Sequence, residues 1–312
     1  RFPSTLIAET VEGTCRMSPR SPSSAASSSS ARGLGQVTSS NSSTATGVGN
    51  QNTGIVVGAG SIIPLAALAE AKAFAAWLQA VGVRQGERVA LMMPNVMQYP
   101  VSTAAVLRAG YAVVNVNPLY TPRELRHQLK DSGAEAIILL ENFAVTLQAI
   151  VRNTSIKHIV VAAMGDLMGV KGALVNFVVR RVKKMVPAWS LPGHVKFNAA
   201  IAEGGHQNFK PVQQGPDDVA FLQYTGGTTG VAKGATLLHR NLIANVLQSE
   251  IWLDPVRANR TDIDQFITVV ALPLYHVFAL TVCGLLTIRT GGLGVLIPNP
   301  RDIPGMIKAL EG

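Results

Sequence analysis

Residues 112 to 140 read Ala112-Val-Val-Asn-Val-Asn-Pro-Leu-Tyr-Thr-Pro-Arg-Glu-Leu-Arg-His-Gln-Leu-Lys-Asp-Ser-Gly-Ala-Glu-Ala-Ile-Ile-Leu-Leu140, and this stretch decides the fold class. Ala112 to Val116 is a short run rich in β-branched residues that ends at Asn117-Pro118, as a buried strand does. Thr121 then offers a hydroxyl to the N-terminus of a helix over Pro122 to Ser132, with Glu124 as the reciprocal partner of a capping box. Ala136 to Leu140 is again continuous and apolar. Strand, helix and strand in so short a span form the unit from which parallel sheets are built, because a crossover helix returns the chain to the same end of the sheet.

The alternation extends in both directions. Upstream, Leu65, Leu68, Ala69, Lys72, Ala73, Ala76 and Trp77 recur at helical spacing with Gly82 as a stop. Val89 to Met93 reads as a buried strand closed by Pro94-Asn95, and Gln98 to Ala109 as a helix ended by Gly110. Downstream, His158 to Ala162 adds a strand. The expectation is an α/β fold of mostly parallel sheets covered by helices on both faces.

The chain has 312 residues, 47% hydrophobic and 14% charged, which suffices for a large core and excludes collagen, a coiled coil and a wholly disordered polymer. Composition divides it near residue 60. Of its 19 serines, 13 lie in residues 1–60, where Phe2 is the only aromatic. Such a segment cannot bury enough apolar area to offset the ordering of its backbone, about 1 to 2 kcal/mol per residue, so residues 1–60 are expected to be disordered and 61–312 to be folded. An Arg- and Ser-rich transit peptide or an out-of-frame upstream stretch would share this composition, and Arg1 in place of Met suggests a start inside a longer frame. Val56-Val57-Gly58-Ala59-Gly60 begins like a dinucleotide fingerprint, but Ile63 stands where the third glycine belongs.

The formal charge of +9 favours anionic partners such as nucleotides or phospholipid headgroups. Residues 1–60 supply only +2 of it, so no basic arm for nucleic acid is expected. Cys15 and Cys283 are too few and too far apart for a disulfide framework or a metal cluster, which leaves a reducing, cytoplasmic setting as the default. Asn41-Ser42-Ser43 and Asn153-Thr154-Ser155 match glycosylation acceptors by chance alone if the chain is not secreted.

Two apolar stretches raise the question of a membrane. Ile267 to Ile288 has no Asp, Glu, Lys or Arg over 22 residues, yet Pro273 and Tyr275-His276 divide it into a strand over 267 to 272, a loop and a helix. In Leu174 to Val186, Leu174, Val178, Val182 and Met185 make one helical stripe, and Arg180, Arg181, Lys183 and Lys184 lie away from it. An ordinary core stripe under solvated charges is the plain reading; peripheral contact with an anionic membrane is the other.

The chemistry is concentrated in Phe221-Leu-Gln-Tyr-Thr-Gly-Gly-Thr-Thr-Gly-Val-Ala-Lys-Gly234. After a strand-like entry come three glycines and three threonines within six residues, then Lys233. Exposed backbone N–H groups, hydroxyls and one mobile cation together suit a polyphosphate, and the glycines permit close backbone approach. The Walker order fails, since Lys233 follows Ala232 and precedes Gly234. A plain Gly/Thr hairpin turn would explain the glycines but not the lysine at that offset.

Tyr224 to Gly234 resembles the phosphate loop of the adenylate-forming enzymes: acyl-CoA synthetases, nonribosomal adenylation domains and luciferases. Residues 89–95, 113–125, 271–278 and 299–304 narrow the likeness to bacterial long-chain fatty-acid CoA ligases, over roughly residues 65–312. The resemblance implies that Tyr224, Thr225, Gly226, Gly227, Thr228, Thr229, Gly230 and Lys233 hold the β- and γ-phosphates of ATP. It also implies that His276, in Pro-Leu-Tyr-His-Val-Phe, stands beside the acyl carboxylate with Tyr275 and Phe278 close by. ATP, Mg²⁺ and CoA are then the implied cofactors and co-substrates, and a long-chain fatty acid the partner; no metal ligand in the chain is assigned. For His276 a hydrogen-bonded core imidazole is the competing reading.

Two departures qualify the likeness. Leu238 stands before His239-Arg240-Asn241 where the family has Thr or Ser, a lost cap of about 1 kcal/mol. The family's acidic Mg²⁺ segment, ribose-binding aspartate, hinge and lid lysine do not follow, so the chain is expected to be an incomplete N-terminal domain with exposed sheet edges. A fragment that holds nucleotide or lipid without turnover, and an adenylating enzyme for another acid, are the alternatives.

Overall fold

A computed structural model describes residues 55–57, 61–63, 66–225, 232–260, 262–263 and 265–311. Eleven strands among the described residues form two sheets. The larger has the order β7-β6-β5-β3-β4-β8-β9, where β3 is Arg88–Met92, β4 Ala112–Asn115, β5 Ala136–Leu140, β6 His158–Ala162, β7 Val195–Lys196, β8 Val219–Thr225 and β9 Lys233–Leu238. Every pairing in it is parallel except β8 with β9. The smaller sheet has the order β10-β11-β1-β2, with β1 Ile55–Val57, β2 Ser61–Ile63, β10 Ile267–Val270 and β11 Leu293–Leu296. Paired backbone therefore starts at Ile55, before the compositional boundary at residue 60; residues 1–54 lie outside the described residues.

The large sheet is covered on both faces, as its continuous apolar strands require. Val89, Leu91, Val113, Ile138 and Leu140 point into one core with α1 (Ala66–Ala80), α2 (Gln98–Arg108) and α6 (Phe197–Gly204). Their neighbours Ala90, Met92, Val114, Ile137 and Leu139 point into the other, with α3 (Pro122–Ser132) and α4 (Ala144–Gln148). This is the period-two alternation of a strand, with both parities apolar.

Local signals placed the elements well. Gly82 and Gly110 have φ of +93° and +79°, which only glycine adopts without strain. Thr121 accepts from Glu124 N–H at 3.4 Å, and Glu124 Oε2 accepts from Thr121 N–H at 2.8 Å, so the capping box on α3 is closed. On α1 the buried face runs through Ala71, Phe74, Ala75 and Leu78, rotated from the stripe read from sequence because Phe74 and Leu78 carry the apolar area. The stretch after Ile267 does break as its proline requires, but β10 stops at Val270, and a π-helical turn, Ala279–Leu285, leads into α8 (Leu286–Arg289). No helix among the described residues is long and apolar enough to cross a membrane.

One sequence expectation is corrected. Helix α5 (Gly169–Phe177) runs into a π-helical turn, Val178–Val182, and its supposed core stripe faces outward: Leu174, Val182 and Met185 are exposed. The cause is Glu141, buried at 4% exposure, which draws Arg180 inward to its carboxylate at 2.9 and 3.0 Å. A carboxylate removed from water needs such a partner, and satisfying it turns the helix.

Helix α7 (His239–Ala258) starts at Leu238 without a side-chain cap, as the missing hydroxyl leads one to expect. Its first N–H groups are not orphaned: His239 and Arg240 donate to the carbonyls of Asp218 and Pro216, at 3.1 and 3.0 Å. Asn241 Oδ1 accepts from Leu238 N–H at 2.9 Å. This packing buries the His239 ring, leaves its Nε2 without a partner, and pushes its pKa below the ordinary 6.5; Asp218 opposes the burial only in part. The native state thus resists a proton that the unfolded chain accepts. Stability should be full above pH 6.5 and decline as pH falls below it, and His239→Gln should flatten that part of the profile in urea titrations at stepped pH.

Candidate functional site

Strand β8 delivers the glycine–threonine loop to the C-terminal edge of the large sheet, where open α/β folds bind ligands. Ala220 and Phe221 are fully buried in the first core and Tyr224 is buried in the second, so the strand is anchored between the two. β9 returns antiparallel with Thr225 opposite Lys233 and Tyr224 opposite Gly234. Thr225 and Lys233 are both exposed, so a hydroxyl and an ammonium flank the mouth of the hairpin. Gly226, Gly227, Thr228, Thr229 and Gly230 lie outside the described residues.

Helix α3 holds both sides of that mouth. The Tyr224 hydroxyl donates to Asp131 Oδ2 at 2.6 Å, and His127 Nε2 lies 3.1 Å from the Ala232 carbonyl. Burial, followed by the bond to Asp131, pushes the Tyr224 phenol above its ordinary range and keeps it a neutral donor. Gly234 is required beside it: a Cβ there would stand 2.9 Å from the Tyr224 ring.

Behind the hairpin lies a buried chain of amides and a phenol. Gln223 Oε1 accepts from Asn115 Nδ2 at 3.0 Å, and Asn115 Oδ1 accepts from the Tyr99 hydroxyl at 2.7 Å. Each end reaches the segment that carries His276. Gln223 Nε2 donates to the Tyr275 carbonyl at 2.7 Å, and the Tyr99 hydroxyl lies 2.9 Å from the Leu274 carbonyl. Asn95 completes the hold: its Nδ2 donates to the carbonyls of Val270 (2.8 Å) and Leu272 (2.9 Å), and its Oδ1 accepts from Leu274 N–H (2.8 Å). The His276 segment is thereby attached to the strand that carries Tyr224 and Thr225.

Within that segment the His276 imidazole is exposed, which removes the core-imidazole reading. Its backbone is fixed by His276 N–H donating to Pro273 and by Leu280 N–H donating to His276, at 2.9 and 3.0 Å. Tyr275 is half-buried, and burial together with nearby Tyr120 raises its pKa; Phe278 is exposed. Tyr224, Thr225 and Lys233 thus stand at the end of the hairpin strands, and Gln223 ties the His276 segment to the same strand through the Tyr275 carbonyl; neither link was singled out in the sequence reading. Asn115 and Gln223 carried a signal, as amides inside otherwise apolar strands; Asp131 and His127 carried none, because their partners lie 93 and 105 residues away.

The model of the AMP-binding enzyme family matches residues 66–311 of the chain. A long-chain-fatty-acid–CoA ligase of Escherichia coli O157:H7 is 53% identical over 241 residues, covering 77% of this chain and 42% of that protein. The chain thus spans about two-fifths of the length of the curated relatives it matches. Among solved structures, the anthranilate CoA ligase AuaEII in complex with anthranoyl-AMP superposes with a TM-score of 0.66 at 20% identity, covering 84% of this chain and 46% of that one. A long-chain-fatty-acid-CoA ligase from Archaeoglobus fulgidus gives 0.60 at 24%, covering 80% and 44%. At these identities the two superpositions bear on the fold alone.

Proposed function

The chain belongs to the AMP-binding enzymes, and from that membership we propose that it carries the phosphate-handling part of an AMP-forming ligase joining long-chain fatty acids to CoA. In that reaction ATP and a fatty acid give an acyl-adenylate and pyrophosphate, and the CoA thiol then attacks the activated carbonyl to give the thioester and AMP. Thr225, Gly226, Gly227, Thr228, Thr229, Gly230 and Lys233 would hold the β- and γ-phosphates, so that the α-phosphorus faces the carboxylate. No covalent bond to the protein is needed; positioning and charge stabilisation carry the step. His276 would orient the carboxylate, with Tyr275 and Phe278 beside it.

The observation that carries this reading is the exposed Thr225–Lys233 mouth, with Tyr275 attached to it through Gln223. The fatty acid as substrate class rests on the names of the similar ligases. Mg²⁺ would accompany the ATP phosphates held by the Thr225–Lys233 hairpin and would supply positive charge there. Cys283 is a free thiol among the described residues.

Lys233→Ala should weaken equilibrium ATP binding by the 312-residue chain about tenfold, the loss expected for one charge-assisted contact; undiminished binding would remove Lys233 from the phosphate site. A second reading, for these 312 residues by themselves, is nucleotide binding without turnover. Trapping acyl-adenylate as hydroxamate, with palmitate and with benzoate, separates that reading from catalysis and tests the acid class.

A further inference from the structure

Helix α3 rests on the core with one face and meets the hairpin with another. Leu125 and Leu129 are fully buried in the second core, and Gln128 Nε2 donates to the Asn115 carbonyl at 2.7 Å. His127 and Asp131 are four residues apart and therefore neighbours on the helix surface. Asp131 takes the Tyr224 hydroxyl on the outgoing strand, and His127 takes the Ala232 carbonyl where the chain returns. A carbonyl only accepts, so His127 Nε2 is the donor. The three glycines and three threonines of the loop lie between these two points, within residues 225–231. The Tyr224 ring also lies against Gly234, its partner across the hairpin, and leaves no room there for a Cβ.

We infer that Asp131, acting through Tyr224, is a positioning residue that presets the hairpin for a polyphosphate, with His127 as the second hold, and that Tyr224 gives no hydrogen bond to the phosphates. A phenol has one proton. In Tyr224 that proton is committed to Asp131 at 2.6 Å, and the oxygen lone pairs that remain would repel an anion. The carboxylate is not there to attract the ligand either, since a negative charge one hydrogen bond from the hairpin opposes a phosphate. What it contributes is the hold on Tyr224. A loop kept in its binding shape loses less freedom when the ligand arrives, and the saving appears as affinity. This role rests on the reading of the hairpin as a phosphate site.

Calorimetric titration of the 312-residue chain with ATP, inorganic tripolyphosphate and AMP tests it. Tyr224→Phe and Asp131→Ala should each weaken ATP and tripolyphosphate about fivefold, and AMP, which lacks the β- and γ-phosphates, by much less. The double variant should be no weaker than either single one, because both remove the same link. Asp131→Asn keeps an acceptor oxygen and discards the charge, so it should bind tripolyphosphate at least as tightly as the unaltered chain. Phe preserves the buried ring and Asp131 is exposed, so the core is undisturbed, and circular dichroism checks this. Tighter tripolyphosphate binding by Asp131→Ala, the sign that bare charge repulsion demands, would overturn the proposal. So would additive losses in the double variant, or losses as large for AMP as for ATP. Lys233→Ala separates this failure from that of the phosphate site itself. If it leaves tripolyphosphate binding intact, the phosphate reading falls and the positioning role with it; if it weakens binding while Tyr224→Phe and Asp131→Ala do not, the positioning role alone falls.

Discussion

Asn95→Ala should lower the stability of the chain by about 3 kcal/mol, read as a shift of the urea midpoint at unchanged slope. Asn95 is 2% exposed, and its amide makes three hydrogen bonds to backbone between 175 and 179 residues away. Truncation removes all three at once. The Val270 carbonyl keeps Ile297 N–H at 3.1 Å, and Leu272 is exposed enough for water to replace the amide. Leu274 N–H is buried and has no such recourse, so it bears most of the loss. Asn95→Asp is the informative companion. It preserves shape but cannot donate to two carbonyls and buries a charge against them, so it should be at least as damaging. A harmless Asp would mean that the side chain acts only by filling space. Hydrogen exchange at Leu274 should accelerate in both variants, because its amide has lost its acceptor or its fixed position.

Gly204→Ala should be of similar size, about 3 kcal/mol. Gly204 ends α6 where that helix presses on α1, and an added Cβ would meet the Ala73 carbonyl and stand 2.9 Å from Trp77 Cβ. Neither neighbour is a movable side-chain end, so the two helices must part, and overpacking of this kind is relieved only by backbone shifts. Parting them would also break the bond from Trp77 Nε1 to Glu203, now 3.0 Å, and disturb the edge-on contact of Phe74 with Phe197 at 5.0 Å. Tryptophan fluorescence should report the change together with the lowered midpoint. The adjacent Gly205 is the control. Its nearest neighbour to a Cβ is 3.3 Å away and its φ is −61°, so Gly205→Ala should be tolerated or slightly stabilising. Equal effects at the two positions would refute the packing argument.

Most of what is local in this fold was legible in the sequence, the buried face of α1 excepted. The capping box of α3 and strands β5 and β6 follow from neighbours within a turn or a pleat, and the structure places them at the expected residues. The other features that the sequence did not show depended on distant partners. The stripe on α5 turned outward because Glu141, 39 residues from Arg180, demands a cation. The cap missing at Leu238 was read rightly, but not that loop carbonyls at residues 218 and 216 take the N–H groups of His239 and Arg240. The same limit applies at the hairpin: the glycines, threonines and Lys233 announce a phosphate loop, but nothing in their spacing reveals that α3 holds both sides of it or that Gln223 reaches Tyr275.

The links that join the hairpin strand to the His276 segment are amides, a phenol and backbone carbonyls. None of these titrates in the range in which cells live, and none sheds counterions. The connection between the hairpin strand and the His276 segment is therefore made wholly by uncharged groups, and neither acidity near neutrality nor added salt acts on it directly.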